Sequence, residues 1–209
     1  MSLIKNLNWR YATKNMDGKS VSEEKLEIIL EAINLSASSF GLQPYRVTVV
    51  NNMDIKLKLQ EAAYGQVQVG SSSHVLVFSV PKILTETDVQ TFINNVAITR
   101  SIPMNFLDGY KNSINGKVSS MSAVEQQNWS AKQAYIALGN ALAAAAEQEI
   151  DACPMEGFNT DEFDKILGLD KIGQTSVVIL PIGFRAETDT TSHYAKVRKP
   201  KEEMFNIVA

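Results

Sequence analysis

The sequence predicts a mixed fold, α/β or α+β, on three observations. Short runs rich in β-branched residues at 45–50, 74–80 and 175–181 read as strands. Around them, apolar residues recur at helical spacing. The two kinds of segment alternate along the chain, which favours a layered sheet-and-helix architecture. A chain of 209 residues has room for one domain with a full core, or for one protomer of a tight oligomer. With 44% hydrophobic and 21% charged residues, it is not a mainly disordered chain.

Each element has its own signal. Ser22 is the expected N-cap of a helix reaching 35, with Glu23 and Glu24 at the positive end of its dipole. Val21 and Leu26 stand at the positions of a hydrophobic staple, and Leu26, Ile29, Leu30 and Ile33 form the buried stripe. A polar turn over 36–44 leads into the first strand at 45–50, and a second helix follows over 54–64. The strand at 74–80 is apolar on both faces, so it belongs in the middle of a sheet, and 175–181 reads the same way. The stretch 87–114 is helical with a break at Pro103. Ser122 and Glu125 form a capping box that opens a long helix to about 149. That helix carries no charge between Lys132 and Glu147 and is apolar nearly all round from Ala134 to Ala146, so its own domain or a partner must enclose it. The tail over 193–209 shows no period; it is basic from Lys196 to Lys201 and ends in Phe205, Ile207 and Val208.

Composition narrows the function. A net charge of −3 gives no global reason to bind nucleic acid, so any anion site must be local. One cysteine, Cys153, excludes an internal disulfide framework, and His74 and His193 leave little for a metal centre; no metal is expected. The N-terminus lacks a signal-peptide core and the stretch 134–146 is too short to span a membrane, so a cytoplasmic address is expected. Asn34-Leu35-Ser36 and Asn128-Trp129-Ser130 match the glycosylation pattern but carry no weight without export. No G-x-G-x-x-G, P-loop, H-E-x-x-H or G-x-S-x-G is present.

Four segments stand out together: Arg10-Tyr11-Ala12-Thr13-Lys14, the 36–45 stretch holding Ser38, Ser39, Phe40 and Gln43-Pro44-Tyr45, the run Cys153-Pro154-Met155-Glu156-Gly157-Phe158, and Lys196-Val197-Arg198. Singly, each has a plain reading as surface charge, turn, loop or solvated tail. Their joint order and spacing resembles the nitroreductase family of FMN-dependent NAD(P)H oxidoreductases, over nearly the whole chain. Gln66 to Val69 before the second strand, and Trp129-Ser130-Ala131-Lys132-Gln133-Ala134-Tyr135 at the start of the long helix, also match.

The resemblance implies an α+β sandwich in which helices flank a mostly antiparallel sheet, one domain over 1–209. It implies a homodimer joined through the long helix, whose exchanged C-terminal segment adds an edge strand to the partner. FMN would lie at the interface, with Arg10, Lys196 and Arg198 on its phosphate, the partner's copies of Ser38 and Ser39 on the flavin, and Lys14 beside N1 and O2. Tyr11, Ala12, Gln43, Gln66, Gln68, Pro154, Met155 and Gly157 complete the expected cofactor shell, and the Glu156 backbone N–H would meet N5. Hydride would pass from NADH or NADPH through N5 to a nitroaromatic or quinone acceptor, in ping-pong order. Phe40, Phe106 and Tyr110 are candidate channel residues, with a core role weighed against gating. Ala12 stands where relatives often carry a hydroxyl, and Gln68 where some carry a lysine, which removes a second cation from the ring. His74 reads as a core histidine and Cys153 as a small buried residue. The rival readings are a related flavin-dependent dehydrogenase or dehalogenase, a flavin sensor or store without turnover, and a purely structural dimer.

Overall fold

The computed structural model describes residues 2–208. Four strands, β1 (Arg46–Val50), β2 (His74–Pro81), β3 (Asp151–Ala152) and β4 (Gln174–Gly183), form one sheet in the order β1-β2-β4-β3. Every pairing in it is antiparallel. The two runs expected at the centre are the two central strands, and their burial is nearly complete.

Period-two alternation divides the core. Leu76, Phe78 and Val80 of β2, with Val178, Leu180 and Ile182 of β4, face α2 (Glu23–Asn34) and α7 (Ala123–Glu147). Val75, Val77 and Ile179 face the opposite layer, which holds α3 (Met53–Ala62), α4 (Val67–Ser71) and α8 (Thr160–Leu167). A third cluster joins α5 (Glu86–Arg100) and α6 (Asp108–Ser119) to the loop at Phe40 and Leu42. The result is the helix–sheet–helix sandwich that the resemblance implied.

Local chemistry sets the helix ends as expected. Ser22 accepts from the Lys25 N–H, and Ser122 and Glu125 close a full capping box on α7. Pro103 separates α5 from α6. Of the two enclosures expected for α7, this chain supplies only part. Ala134, Ala137, Leu138, Ala141 and Ala145 are buried, but Tyr135, Ile136, Gly139 and Asn140 form an uncovered face. The tail shows the one-turn α9 (Lys201–Met204) and no strand pairing within this chain.

At Gly183, the last residue of β4, the N-terminal segment lies close against the sheet. A Cβ there would lie 2.9 Å from Met16 Sδ and 3.1 Å from Ser73 N. The glycine therefore admits the 12–16 segment against the sheet.

His74 is the core histidine that was expected. Its Nδ1 lies 2.8 Å from Ser73 Oγ, which itself accepts the Val21 N–H at 2.8 Å. Burial, then the nearby Lys56 ammonium, pushes the imidazole below its ordinary value. Lys56 is itself buried, donating to the carbonyls of Ser72 and Ser73, and burial lowers its pKa too. The unfolded chain protonates His74 near pH 6.5, while the native chain resists. The stability this group supplies is therefore complete above about pH 6.5 and declines as pH falls below that value. Thermal melts at about pH 7.5 and about pH 5.5 should show wild type losing more stability than His74→Asn, whose side chain does not titrate; equal losses would contradict the assignment.

Candidate active site

The N-terminal segment is tied across the sheet end. α1 (Leu3–Trp9) stops at Arg10, where the backbone becomes extended. Ala12 then bridges Ala152 in parallel and Met16 bridges Arg185 antiparallel. Beneath this crossing lies an ion pair. Arg185 Nη2 is 2.7 Å from Asp151 Oδ1, and its Nε lies 3.0 Å from both carboxylate oxygens. Asp151 also accepts the Arg185 N–H at 2.8 Å and the Thr13 hydroxyl at 3.2 Å. The guanidinium is flanked by the rings of Trp9 and Tyr11, at 4.5 and 4.7 Å from their centroids.

A second carboxylate fixes the next turn. Asp189 accepts the backbone N–H groups of Lys14 (2.8 Å), Asn15 (3.2 Å) and Thr191 (2.9 Å). Burial works against its charge, yet these bonds outweigh it and hold the carboxyl below its ordinary range. Together the two carboxylates place Arg10 and Lys14 on one side of the crossing.

On that side the tail folds back onto the first helix. Lys196 Nζ donates to the Arg10 carbonyl, and Arg198 joins them. The three cations edge a cavity of about 450 Å³ whose lining includes Tyr11, Ala12 and Pro154. Burial and then Arg198 lower the Arg10 pKa; burial, then Arg10 and Arg198, lower that of Lys196. Among the described residues, no ion pair reaches any of the three, and Arg10 Nε is buried without a partner. Such a cluster favours an anion with several acceptor oxygens, and a phosphate satisfies it.

The 153–158 loop forms the adjoining wall. Met155 exchanges backbone bonds with Ile179 at 2.9 and 3.0 Å, and Phe158 N–H closes a turn on the Glu156 carbonyl at 2.9 Å. Among the described residues, the exposed Glu156 N–H has no acceptor. Gln66 Nε2 donates to the Gly157 carbonyl at 2.7 Å, whereas Gln68 is buried beneath, 3.5 Å from Met155 Sδ and 3.9 Å from Cys153 Sγ. Gln66 is thus the loop's brace and Gln68 its floor. Lys14 Nζ is 3.7 Å from Cys153 Sγ. Cys153 is fully buried, and burial pushes its thiol up, so it is the inert residue expected. The Tyr135 hydroxyl donates to Glu156 Oε1.

Within one chain the 36–45 loop is not bonded to this cluster. Ser38 Oγ accepts the Gln43 N–H at 2.9 Å, and Ser39 N–H donates to Gln133 Oε1 at 2.8 Å. Gln43 Nε2 donates to the Asn34 carbonyl at 2.8 Å and to Tyr45 at 3.3 Å. Tyr110 is pinned by its hydroxyl to the Phe40 carbonyl and lies against Phe40 and Phe92. Phe106 is 74% exposed. Trp9, Asp151, Arg185 and Asp189 went unrecognised in the sequence, each an isolated residue in a segment without periodicity, and Thr13 was quoted within the 10–14 segment without a role of its own.

The chain is thus an α+β sheet-and-helix sandwich with a cationic pocket at one end of its sheet. Residues 7–184 match the model described as the nitroreductase family, and the chain belongs to that family. A Staphylococcus haemolyticus protein, provisionally named an NAD(P)H nitroreductase, is 32% identical over 219 residues, covering 99% of this chain and 97% of that one. A provisionally named nitroreductase from Bacillus subtilis superposes with a TM-score of 0.86 at 24% identity, covering 98% of each chain. Another, from Exiguobacterium sibiricum and solved in complex with FMN, gives 0.84 at 22% identity, covering 100% of this chain and 98% of that one.

Replacing Asp151 with Ala should strand the Arg185 cation and reduce stability by about 3 kcal/mol in urea unfolding. The apolar double replacement Asp151→Leu with Arg185→Met should recover part of that loss. A single variant as stable as wild type would show that the pair does not hold the crossing.

Proposed function

We propose that this chain is an FMN-dependent NAD(P)H oxidoreductase that works as a homodimer. The observation that carries the reading is the convergence of Arg10, Lys196 and Arg198 on a pocket with no counter-anion among the described residues and a buried, unpartnered Arg10 Nε. These residues fit a phosphate terminus. FMN bound here would accept hydride from NAD(P)H at N5 and return two electrons to a nitroaromatic or quinone acceptor, in ping-pong order.

The chain's own residues would bind and orient. Arg10, Lys196 and Arg198 hold the phosphate. Lys14, beside Cys153, supplies positive charge at the N1 and O2 edge, where it favours the reduced ring's negative charge. Tyr11, Ala12, Pro154, Met155 and Gly157 line the cofactor, with Gln66 and Gln68 along the loop. The unpaired Glu156 N–H is the donor offered to N5.

A dimer accounts for what one chain leaves open. The uncovered α7 face at Tyr135, Ile136, Gly139 and Asn140 would pack against its copy. β1 has a neighbour on one side and a cavity of about 800 Å³ alongside, lined by Leu30, Tyr45, Val47, Phe92 and Ile98. The partner's tail, with Val197, Phe205, Ile207 and Val208 exposed, would supply the edge strand there. Ser38, Ser39, Phe40 and Gln43 would then reach the flavin of the other protomer, with Phe106 and Tyr110 along its channel. We read the whole of 1–209 as one such unit. No helix among the described residues is long and apolar enough to cross a membrane, and we assign the protein to the cytoplasm, where its reductant is available.

Protein purified with FMN should show a flavin absorbance spectrum and sediment as a dimer at micromolar concentration, and a quinone should drive steady NAD(P)H oxidation. Flavin binding without turnover would favour a sensor or store; a colourless protein after FMN addition would refute the reading. Changing Lys196 and Arg198 together to Ala should weaken FMN binding by about 3–6 kcal/mol, at roughly 1.5–3 kcal/mol per charge-assisted bond. Fluorescence titration of FMN measures this, and unchanged affinity would remove the tail from the phosphate site.

A further inference from the structure

We propose that the Glu156 carboxylate, held by the Tyr135 hydroxyl, is a fixed negative charge beside the flavin that opposes Lys14 and lowers the reduction potential of the bound ring. The inference rests on the flavin reading above and concerns which of this chain's charges set the strength of that cofactor as a reductant.

The place of this charge follows from the backbone that carries it. Met155 exchanges two bonds with Ile179 of β4, and the Glu156 carbonyl accepts the Phe158 N–H at 2.9 Å. The Gln66 amide donates to the Gly157 carbonyl at 2.7 Å. The loop is therefore fixed on both sides of the Glu156 N–H that would meet N5. Bonds of about 1.5 Å, four of them, join that nitrogen to the carboxyl carbon of its own side chain. A hydrogen bond of about 3 Å would join the same nitrogen to N5. The carboxylate thus lies within about 10 Å of N5, the range over which charges interact at ordinary ionic strength.

Among the described residues, nothing neutralises it. No ion pair there reaches Glu156, and its side chain is bonded to the Tyr135 hydroxyl. Burial, then the Glu156 carboxylate, pushes that phenol well above its ordinary value, so the partner stays protonated and uncharged. A neutral donor restrains the carboxylate and leaves its charge in place. The loop therefore meets two opposite charges: the Lys14 ammonium, 3.7 Å from Cys153 Sγ, and the Glu156 carboxylate further along. Arg10, Lys196 and Arg198 would be matched by the phosphate. Two electrons and one proton, delivered together as hydride, turn the neutral oxidised ring into a reduced ring with one negative charge. Lys14 stabilises that product and Glu156 destabilises it. The carboxylate makes the reduced ring a stronger reductant toward its acceptor than Lys14 alone would leave it.

Glu156→Gln removes the charge and keeps the backbone N–H, the side-chain length and an acceptor for the phenol. In FMN-loaded protein titrated against a reference dye, its midpoint potential should rise by about 20 mV, roughly fivefold in the equilibrium constant for two-electron reduction. Relative to oxidised FMN, the variant should bind reduced FMN roughly fivefold more tightly than wild type does, because the two shifts close one thermodynamic cycle. Glu156→Ala should raise the potential in the same direction. Lys14→Met should lower it, and the double variant Lys14→Met with Glu156→Gln should lie between the two single ones. The proposal is overturned if Glu156→Gln leaves the potential unchanged or lowers it, or if the double variant lies as low as Lys14→Met. A rise in Glu156→Ala without one in Glu156→Gln also overturns it, because the contact and not the charge would then be responsible. A wild-type protein that takes up no FMN overturns the cofactor reading and this role with it. Normal FMN loading, with a shift in Lys14→Met and none in Glu156→Gln, overturns this role alone.

Discussion

The Asp151–Arg185 pair, clasped between the rings of Trp9 and Tyr11, is the constraint on which the site depends. The 10–16 segment has only isolated bridges to the sheet, too few to fix it by backbone bonding alone. The pair supplies the missing restraint with three kinds of interaction at once: a bidentate charge-assisted contact, a backbone bond and two aromatic faces. Asp189 continues the same logic one turn later by gathering the N–H groups of Lys14, Asn15 and Thr191. Two buried carboxylates at this end of the sheet thus organise a cationic surface they do not themselves neutralise.

That separation of charges gives the pocket its character. Burial and the neighbouring cations push Arg10 and Lys196 below their ordinary values, so the cluster is held together against its own repulsion. Their acidic neighbours are already committed to Arg185 and to backbone donors. An anion is therefore the group that relieves the repulsion, although the chain as a whole carries a net charge of −3.

Much of this was legible in the sequence, for physical reasons that differ by element. β2 and β4 declared themselves because buried central strands need apolar residues on both faces. The caps at Ser22 and Ser122 are local chemistry and appear as written. Arg10, Lys14, the 153–158 run and Lys196-x-Arg198 were identified by joint resemblance, and the fold brings them to one pocket edge and its wall. Asp151 and Arg185 escaped notice because a pair 34 residues apart is created by the antiparallel turn of β3 on β4, which no spacing rule encodes. The direction of Gln66 and Gln68 was likewise undecidable until the short helix α4 turned one outward and the other under the loop. The outer face of α7 was invisible because a helix apolar all round does not reveal which side its own domain covers.

Gly183 gives the site a dimension set by a missing methyl group. A Cβ there would meet the Met16 thioether at 2.9 Å and the Ser73 backbone N at 3.1 Å, so a side chain at this position would press on both the N-terminal segment and the start of β2. Bulk added there would not stay local. It would lever Met16 and its bridge to Arg185 outward, and with them the clasp that orients Arg10. A change at this uncharged residue, paired with Asp151 across the sheet, would then disturb the ion pair that orients the N-terminal crossing. The calibre of the anion pocket is in this sense a packing property of the core's edge, inherited by the electrostatics rather than set by them.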